Sequence, residues 1–195
     1  MMGIGGIIGS VLLLAAAILL LVTSISSSLV RQISFLDISI GAQRLTFGVY
    51  GYCTDLDCTP RQLGYDLPLT QLGLQGWSYE NITGLTKGLV LHPIATGLAV
   101  IALLITLFAE RVGYLFPAVL VLLAFLASVA ALAFDFAIFA IIRNEVNTRA
   151  ASATATFGSA IWLSTAAAVI LALCFFVMVF SCCAARKRER YGGKY

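Results

Sequence analysis

Residues 114–142 read YLFPAVLVLLAFLASVAALAFDFAIFAII, and this stretch decides the fold class. Asp135 is its single charge. The remainder is mostly Leu, Ala, Phe, Val and Ile, without the facial periodicity of a soluble amphipathic helix. As a straight helix it would extend roughly 43 Å at about 1.5 Å per residue, against a hydrocarbon core of about 30 Å. The segment must therefore tilt strongly or project beyond the lipid. Projection is the expected solution, because it brings Asp135 towards the outer interface.

The whole chain has the same character. Of 195 residues, 61% are hydrophobic and 11% are charged, where soluble domains run about 45–50% and about 25%. That composition excludes an ordinary cytosolic enzyme, a disordered regulator and a nucleic-acid-binding module. Twelve basic and nine acidic residues leave long gaps, and the gaps are the spans. Residues 1–30 carry no charge, nor does the interval between Lys87 and Glu110, nor the interval from Ala150 to Ala185. Four transmembrane helices are expected at 3–23, 93–109, 114–142 and 157–181. A loop domain at 24–92 separates the first two, and a basic tail occupies 182–195. The first span reads as a retained anchor rather than a signal peptide: no Lys or Arg precedes it, its apolar run is about twice a typical h-region, and the cleavage pattern is poor. Its first glycine is Gly3, which excludes N-myristoylation.

Four spans put both termini on one side. The run Arg186-Lys187-Arg188-Glu189-Arg190, with Lys194, places the tail in the cytosol by the positive-inside rule. Residues 24–92 are then extracellular. Asn81-Ile82-Thr83 is a glycosylation sequon, usable on that side only. Cys53 and Cys58 lie in the same segment, where a disulfide is permitted.

A loop of this length needs structure of its own. Leu29 to Ile40 alternates imperfectly, Arg44 to Tyr52 is aromatic and β-branched, and Gly41-Ala42 offers a turn between them. An isolated hairpin is marginal, so a short antiparallel sheet resting on the outer ends of the helices is expected. Cys53 and Cys58 enclose Thr-Asp-Leu-Asp; a disulfide there would fix the end of a strand and contribute about 2 kcal/mol. The competing reading, a metal site of Cys53, Asp55, Asp57 and Cys58, lacks a histidine and sits in an oxidising compartment. His92, before Pro93 at the start of the second span, reads as a helix-entry or interfacial residue.

The run Phe47-Gly48-Val49-Tyr50-Gly51-Tyr52-Cys53, followed by Cys58-Thr59-Pro60-Arg61-Gln62-Leu63-Gly64-Tyr65-Asp66, resembles the first outer loop of the fungal PalI family. That family and the related eisosome-type proteins are similar to claudins. The resemblance continues at Asp135-Phe136-Ala137-Ile138-Phe139 with Arg143, at Phe157 to Trp162, and at Cys182-Cys183. It implies a mainly α, claudin-like four-helix bundle with a small extracellular antiparallel β-sheet. It also implies structural roles for Gly48, Tyr50, Gly51, Tyr52, Arg61, Gly64, Tyr65, Asp66, Asp135 and Trp162. The function it implies is that of an accessory protein of the fungal plasma membrane, associated with ambient-pH sensing, that stabilises or localises a larger integral membrane protein. Tyr52 stands where claudins carry tryptophan and the cysteine spacing is shorter, which speaks against a junctional pore.

No Gly-rich phosphate loop, HExxH or Ser/His/Asp set is present. No catalytic, cofactor or metal residues are therefore expected, and no small-molecule substrate. Asp135 is expected to have a structural role at the outer end of its span, bonding loop backbone or pairing with Arg44, Arg61 or Arg143. A channel or transporter using Asp135 is an alternative, but it calls for several such groups, broken helices or repeats. A self-assembling membrane-organising or adhesion protein is the other alternative, with a homo-oligomer as partner. Gly5 and Gly9, like Gly6 and Ser10, are spaced for close helix packing. Cys182 and Cys183 are candidate palmitoylation sites beside a tail that attracts anionic lipid, at about 1 kcal/mol per nearby basic residue.

Overall fold

Small residues at helical spacing let four apolar segments close on one another. The computed structural model describes residues 4–25, 33–41, 43–60, 62, 64–65, 86–108, 115–149 and 153–192. Its helices are α1 (Ile4–Ser24), α2 (Leu91–Phe108), α3 (Leu115–Arg149) and α4 (Ser159–Gly192). A 3-10 turn, Gly88–Val90, leads into α2. All four helices are long and apolar enough to cross a membrane. They form a ring in which α1 touches α2 and α4, and α3 touches the same two.

The bundle core is built from Leu13, Ala16 and Leu20 of α1, Ala95, Ala99 and Ala102 of α2, Ala118, Val121 and Ala124 of α3, and Ala167, Leu171 and Cys174 of α4. Alanine dominates because lipid supplies no hydrophobic drive between helices, so close backbone approach and dispersion must do it. Gly9 illustrates the fit: a Cβ there would lie 3.5 Å from the Met178 side chain, and the Cys174 thiol donates to the Gly9 carbonyl at 3.4 Å. The large aliphatic residues point the other way. Ile7, Val11, Leu14, Ile18 and Leu21 form one exposed stripe on α1, as Val119, Leu123 and Leu126 do on α3. Those stripes give the bundle an apolar outer surface, suited to lipid or to another apolar helix.

At one end of the bundle lies a four-stranded antiparallel sheet of β1 (Leu36–Ile40), β2 (Gln43–Phe47), β3 (Tyr52–Cys53) and β4 (Ala153–Phe157), in the order β3-β2-β1-β4. Gly41, at φ +59°, makes the β1–β2 turn, a conformation that costs glycine least. The expected strand from Arg44 to Tyr52 is two strands. It breaks at Gly48, whose N–H donates to the Gly51 carbonyl at 2.9 Å, and Phe47 then pairs with Tyr52 across the turn. Likewise β1 begins at Leu36 rather than at Leu29; residues 26–32 lie outside the described ones.

The fourth strand comes from the connection between α3 and α4. Phe157, expected to open the last span, instead pairs with Leu36, and α4 begins at Ser159. Gly158 makes the corner. Its N–H donates to the Phe35 carbonyl and that of Ala160 to the Ser34 carbonyl, both at 2.9 Å. A Cβ on Gly158 would overlap the Ser34 carbonyl and hydroxyl oxygens. The sheet is therefore stitched to the start of α4 at a point where only glycine fits.

The sheet rests on α3, which continues as helix to Arg149. Ile138, Phe139, Ile142 and Val146, one stripe of that extension, pack with Phe35, Leu36, Ile38, Leu45 and Phe47 in a second apolar cluster. These last turns of α3 are the platform for the strands.

Candidate functional site

Between the two apolar clusters every helix contributes polar side chains. On α1 Thr23 and Ser24 follow Leu20; on α2 His92 and Thr96 flank Ala95; on α3 Ser128 and Asp135 lie between Ala124 and Ile138; on α4 Ser164 lies between Ile161 and Ala167. All of them are buried. A buried polar group without a hydrogen bond is costly, and more so in a membrane. Part of this layer is satisfied locally: Ser24 donates to Thr96 at 2.9 Å, and Thr96 to the His92 carbonyl at 2.8 Å.

At its centre His92 Nε2 and Asp135 Oδ2 lie 2.9 Å apart, both side chains fully shielded from solvent. The pair ties α2 to α3. His92 is thus no mere helix-entry residue. Asp135 takes the histidine as partner, in place of the arginines expected for it. Arg143 instead lies exposed, with its guanidinium 5.0 Å from the centre of the Phe157 ring, and the backbone N–H of Arg44 donates to Asp55 at 2.8 Å. Arg61 lies outside the described residues. The physical reason is proximity: His92 and Asp135 are the ionisable groups that α2 and α3 turn inwards at the same level, and each alone would be unpaired in the bundle. One atom of each stays without a partner among the described residues, His92 Nδ1 and Asp135 Oδ1, as do the hydroxyls of Ser128 and Ser164.

The pair sits directly beneath the sheet. The His92 ring is 5.2 Å from that of Phe35, which stacks at 5.7 Å on Phe139 of α3. Phe35 also joins strands, since its N–H donates to the Phe47 carbonyl at 2.8 Å and its carbonyl accepts from Gly158 at 2.9 Å. One aromatic residue therefore touches the ion-pairing histidine with its ring and holds β2 and the α4 corner with its backbone.

Loop residues Gly48, Tyr50, Gly51, Tyr52, Gly64 and Tyr65 form a neighbouring cluster. The Tyr65 hydroxyl donates to the Gly48 carbonyl at 2.9 Å, inside the sheet cluster. Burial pushes its phenol well above the usual tyrosine range, and the negative charge of Asp135 adds to that. Tyr52 lies between Phe47 and Tyr65, with ring centres 5.7 and 6.3 Å away. The Tyr50 carbonyl accepts from Gln62 at 3.0 Å. Gly51 (φ +157°) and Gly64 (φ +70°) hold conformations in which a Cβ would meet Thr59 and Lys87. The Cys53–Cys58 disulfide is present, and Thr59, next to it, bonds the Tyr52 backbone through both its hydroxyl and its N–H. Among the described residues no cluster of His, Cys, Asp and Glu suits a metal ion. Trp162 is exposed on the flank of α4; Cys182 and Cys183 are free thiols near its end. Asp66 and Asn81 lie outside the described residues.

The profile of the SUR7/PalI family matches residues 6–187. The chain belongs to that family. The match takes in all four helices and the sheet, so the His92–Asp135 junction falls inside it. A pH-response regulator protein, palI/prr-5, of Neurospora crassa is 43% identical over 58 residues, which is 29% of this chain. The shared stretch spans 8% of the Neurospora protein's length. The sequence carries a partial signal that unites His92 with Asp135: both are ionisable, one lies within an apolar span and the other adjoins one, and neither is tolerated in lipid alone.

Proposed function

We propose that this chain is a non-enzymatic accessory protein of the plasma membrane that takes part in the response to ambient pH. One observation carries the reading: the similarity to a pH-response regulator, set within a family match over nearly the whole chain. In this reading both termini are cytosolic and residues 24–92 are extracellular. The exposed aliphatic stripes of the helices, with the outer sheet, bind and stabilise or localise a larger integral membrane protein. The buried polar layer serves the protein's own state rather than a substrate.

Deleting the gene in its host and comparing growth at acid and alkaline pH tests the pH role. A strain that grows like its parent across that range would remove it. Purification in mild detergent tests the partnership, and the expected result is a stoichiometric larger membrane protein. A lone monomer, or a homo-oligomer alone, would count against accessory binding; the oligomer would favour a self-assembling membrane organiser. A glycosidase-sensitive mobility shift that disappears in Asn81→Gln is the expected sign of the orientation.

A further inference from the structure

We propose that the His92–Asp135 pair is a proton-linked latch that seats the outer sheet on the helix bundle. The pair is fully buried, and its polar neighbours among the described residues are hydroxyls: Ser24 and Thr96, with Ser128 and Ser164 in the same layer. With one proton shared between imidazole and carboxylate the pair has no net charge, as neutral acid with neutral imidazole or as an ion pair. Removing that proton leaves a bare carboxylate, and adding a second leaves a bare imidazolium. Each is a net charge in low dielectric, costly unless water reaches it.

No other described group cancels such a charge. The described side chains of α1 and of α4 as far as Cys183 carry none, and the Cys174 thiol belongs to the bundle core below. Ahead of the 3-10 turn that leads into α2, Lys87 is exposed; on α3 Arg143 is exposed over Phe157, and Glu145 lies about three turns beyond Asp135, on the sheet side. From the sheet side come Asp37, which accepts from the Ser34 hydroxyl at 2.7 Å, and the Tyr65 phenol, a hydrogen-bond donor to Gly48. A net charge on the pair is therefore relieved by letting water in, and the route is the sheet junction. Phe35 covers His92 there and holds β2 and the α4 corner through its backbone. Seating is greatest in the pH window where the pair holds one proton, and it loosens on both sides. As a property of the fold this stands alone; as the input of a pH response it rests on the function proposed above.

Backbone hydrogen exchange of the full chain in lipid nanodiscs reads the latch directly. The measurement runs from about pH 4.5 to about pH 9, below the tyrosine range, with rates corrected for intrinsic pH dependence. Amides of β1, β4 and the Gly158 corner are expected to show maximal protection within that window and about tenfold faster exchange towards each end. Asp135→Asn leaves a group that can only gain a proton, so the alkaline limb should vanish and the acid limb persist. His92→Gln leaves a carboxyl that can only lose one, so the acid limb should vanish instead. A flat profile in the wild type, or the same two limbs in both variants, overturns the latch. The wild-type profile decides even where a variant does not fold. If the two limbs are found while deletion leaves growth unchanged with pH, the latch stands and the pH role falls; the converse separates them equally well.

Discussion

Asn147, near the end of α3, uses both atoms of its amide on the backbone of Ala155: its Oδ1 accepts the Ala155 N–H at 2.8 Å and its Nδ2 donates to the Ala155 carbonyl at 3.2 Å. A side chain on a helix thus stands in for a neighbouring strand. β4 is an edge strand, and such edges are open to unwanted pairing unless covered. Here the cover comes from the same helix that supports the sheet. Asn147→Ala should expose both backbone groups at a cost of about 1–3 kcal/mol, with faster exchange at Ala155 while the helices stay intact. Asn147→Asp keeps the acceptor and should fall between the two. Unchanged protection of Ala155 in the alanine variant would show the pairing to be incidental.

Gly158 is the position least tolerant of substitution. A methyl group there collides with the Ser34 backbone and breaks two hydrogen bonds at the corner, so Gly158→Ala should destabilise by about 3 kcal/mol or more. Gly97, half-buried on α2 with nothing near its Cβ direction, is the control, and Gly97→Ala should stabilise by about 0.5–1 kcal/mol. Thermal unfolding of the two variants in one detergent measures the difference. Equal midpoints would mean that the corner relaxes freely.

Tyr65 makes stability depend on alkaline pH. Its phenol is raised above the ordinary value by burial and by Asp135. A group whose folded-state value is raised contributes fully below the unfolded value, and that contribution is lost as pH rises past it. Stability of the sheet cluster should therefore decline above about pH 10, where the unfolded chain sheds the phenolic proton. Tyr65→Phe should lose the hydrogen bond to Gly48 and flatten this decline. Spectrophotometric titration should find one tyrosine that ionises only as the sheet unfolds; if every tyrosine titrates in the folded protein, Tyr65 is not sealed.

Replacing Cys53 and Cys58 together by serine removes a short cross-link, whose chain-entropy contribution is about 2 kcal/mol. The loss should be local. β3 and the Tyr52–Thr59 contacts should fray, with helical circular dichroism unchanged. A fall in helix content would indicate that the disulfide supports the bundle as well.

The four spans and the presence of a sheet could be read from where the charges are missing and where β-branched residues gather. β4 could not. Ala153-Thr-Ala-Thr-Phe157 is small, neutral and contiguous with the last apolar segment, so it merges with the span in any charge map. Its strand character comes from partners, Leu36 to Ile40 on one side and Asn147 on the other. The break at Gly48 was likewise hidden, because an aromatic run reads as one strand until the turn inside it is seen. The role of His92 was hidden for a different reason: a histidine before Pro93 at a helix start has a sufficient local explanation, and only the packing of α2 on α3 brings it to Asp135.

The continuity of α3 from the bundle core to the sheet has a mechanical corollary. Helix and platform are one continuous rod, so the height of the sheet above the hydrocarbon is set by how far the apolar part of α3 sinks into it. A thicker membrane draws the sheet down towards the headgroups, and a thinner one lifts it clear. In a bilayer the sheet would then act as a calliper, its height reporting the thickness of the lipid around α3.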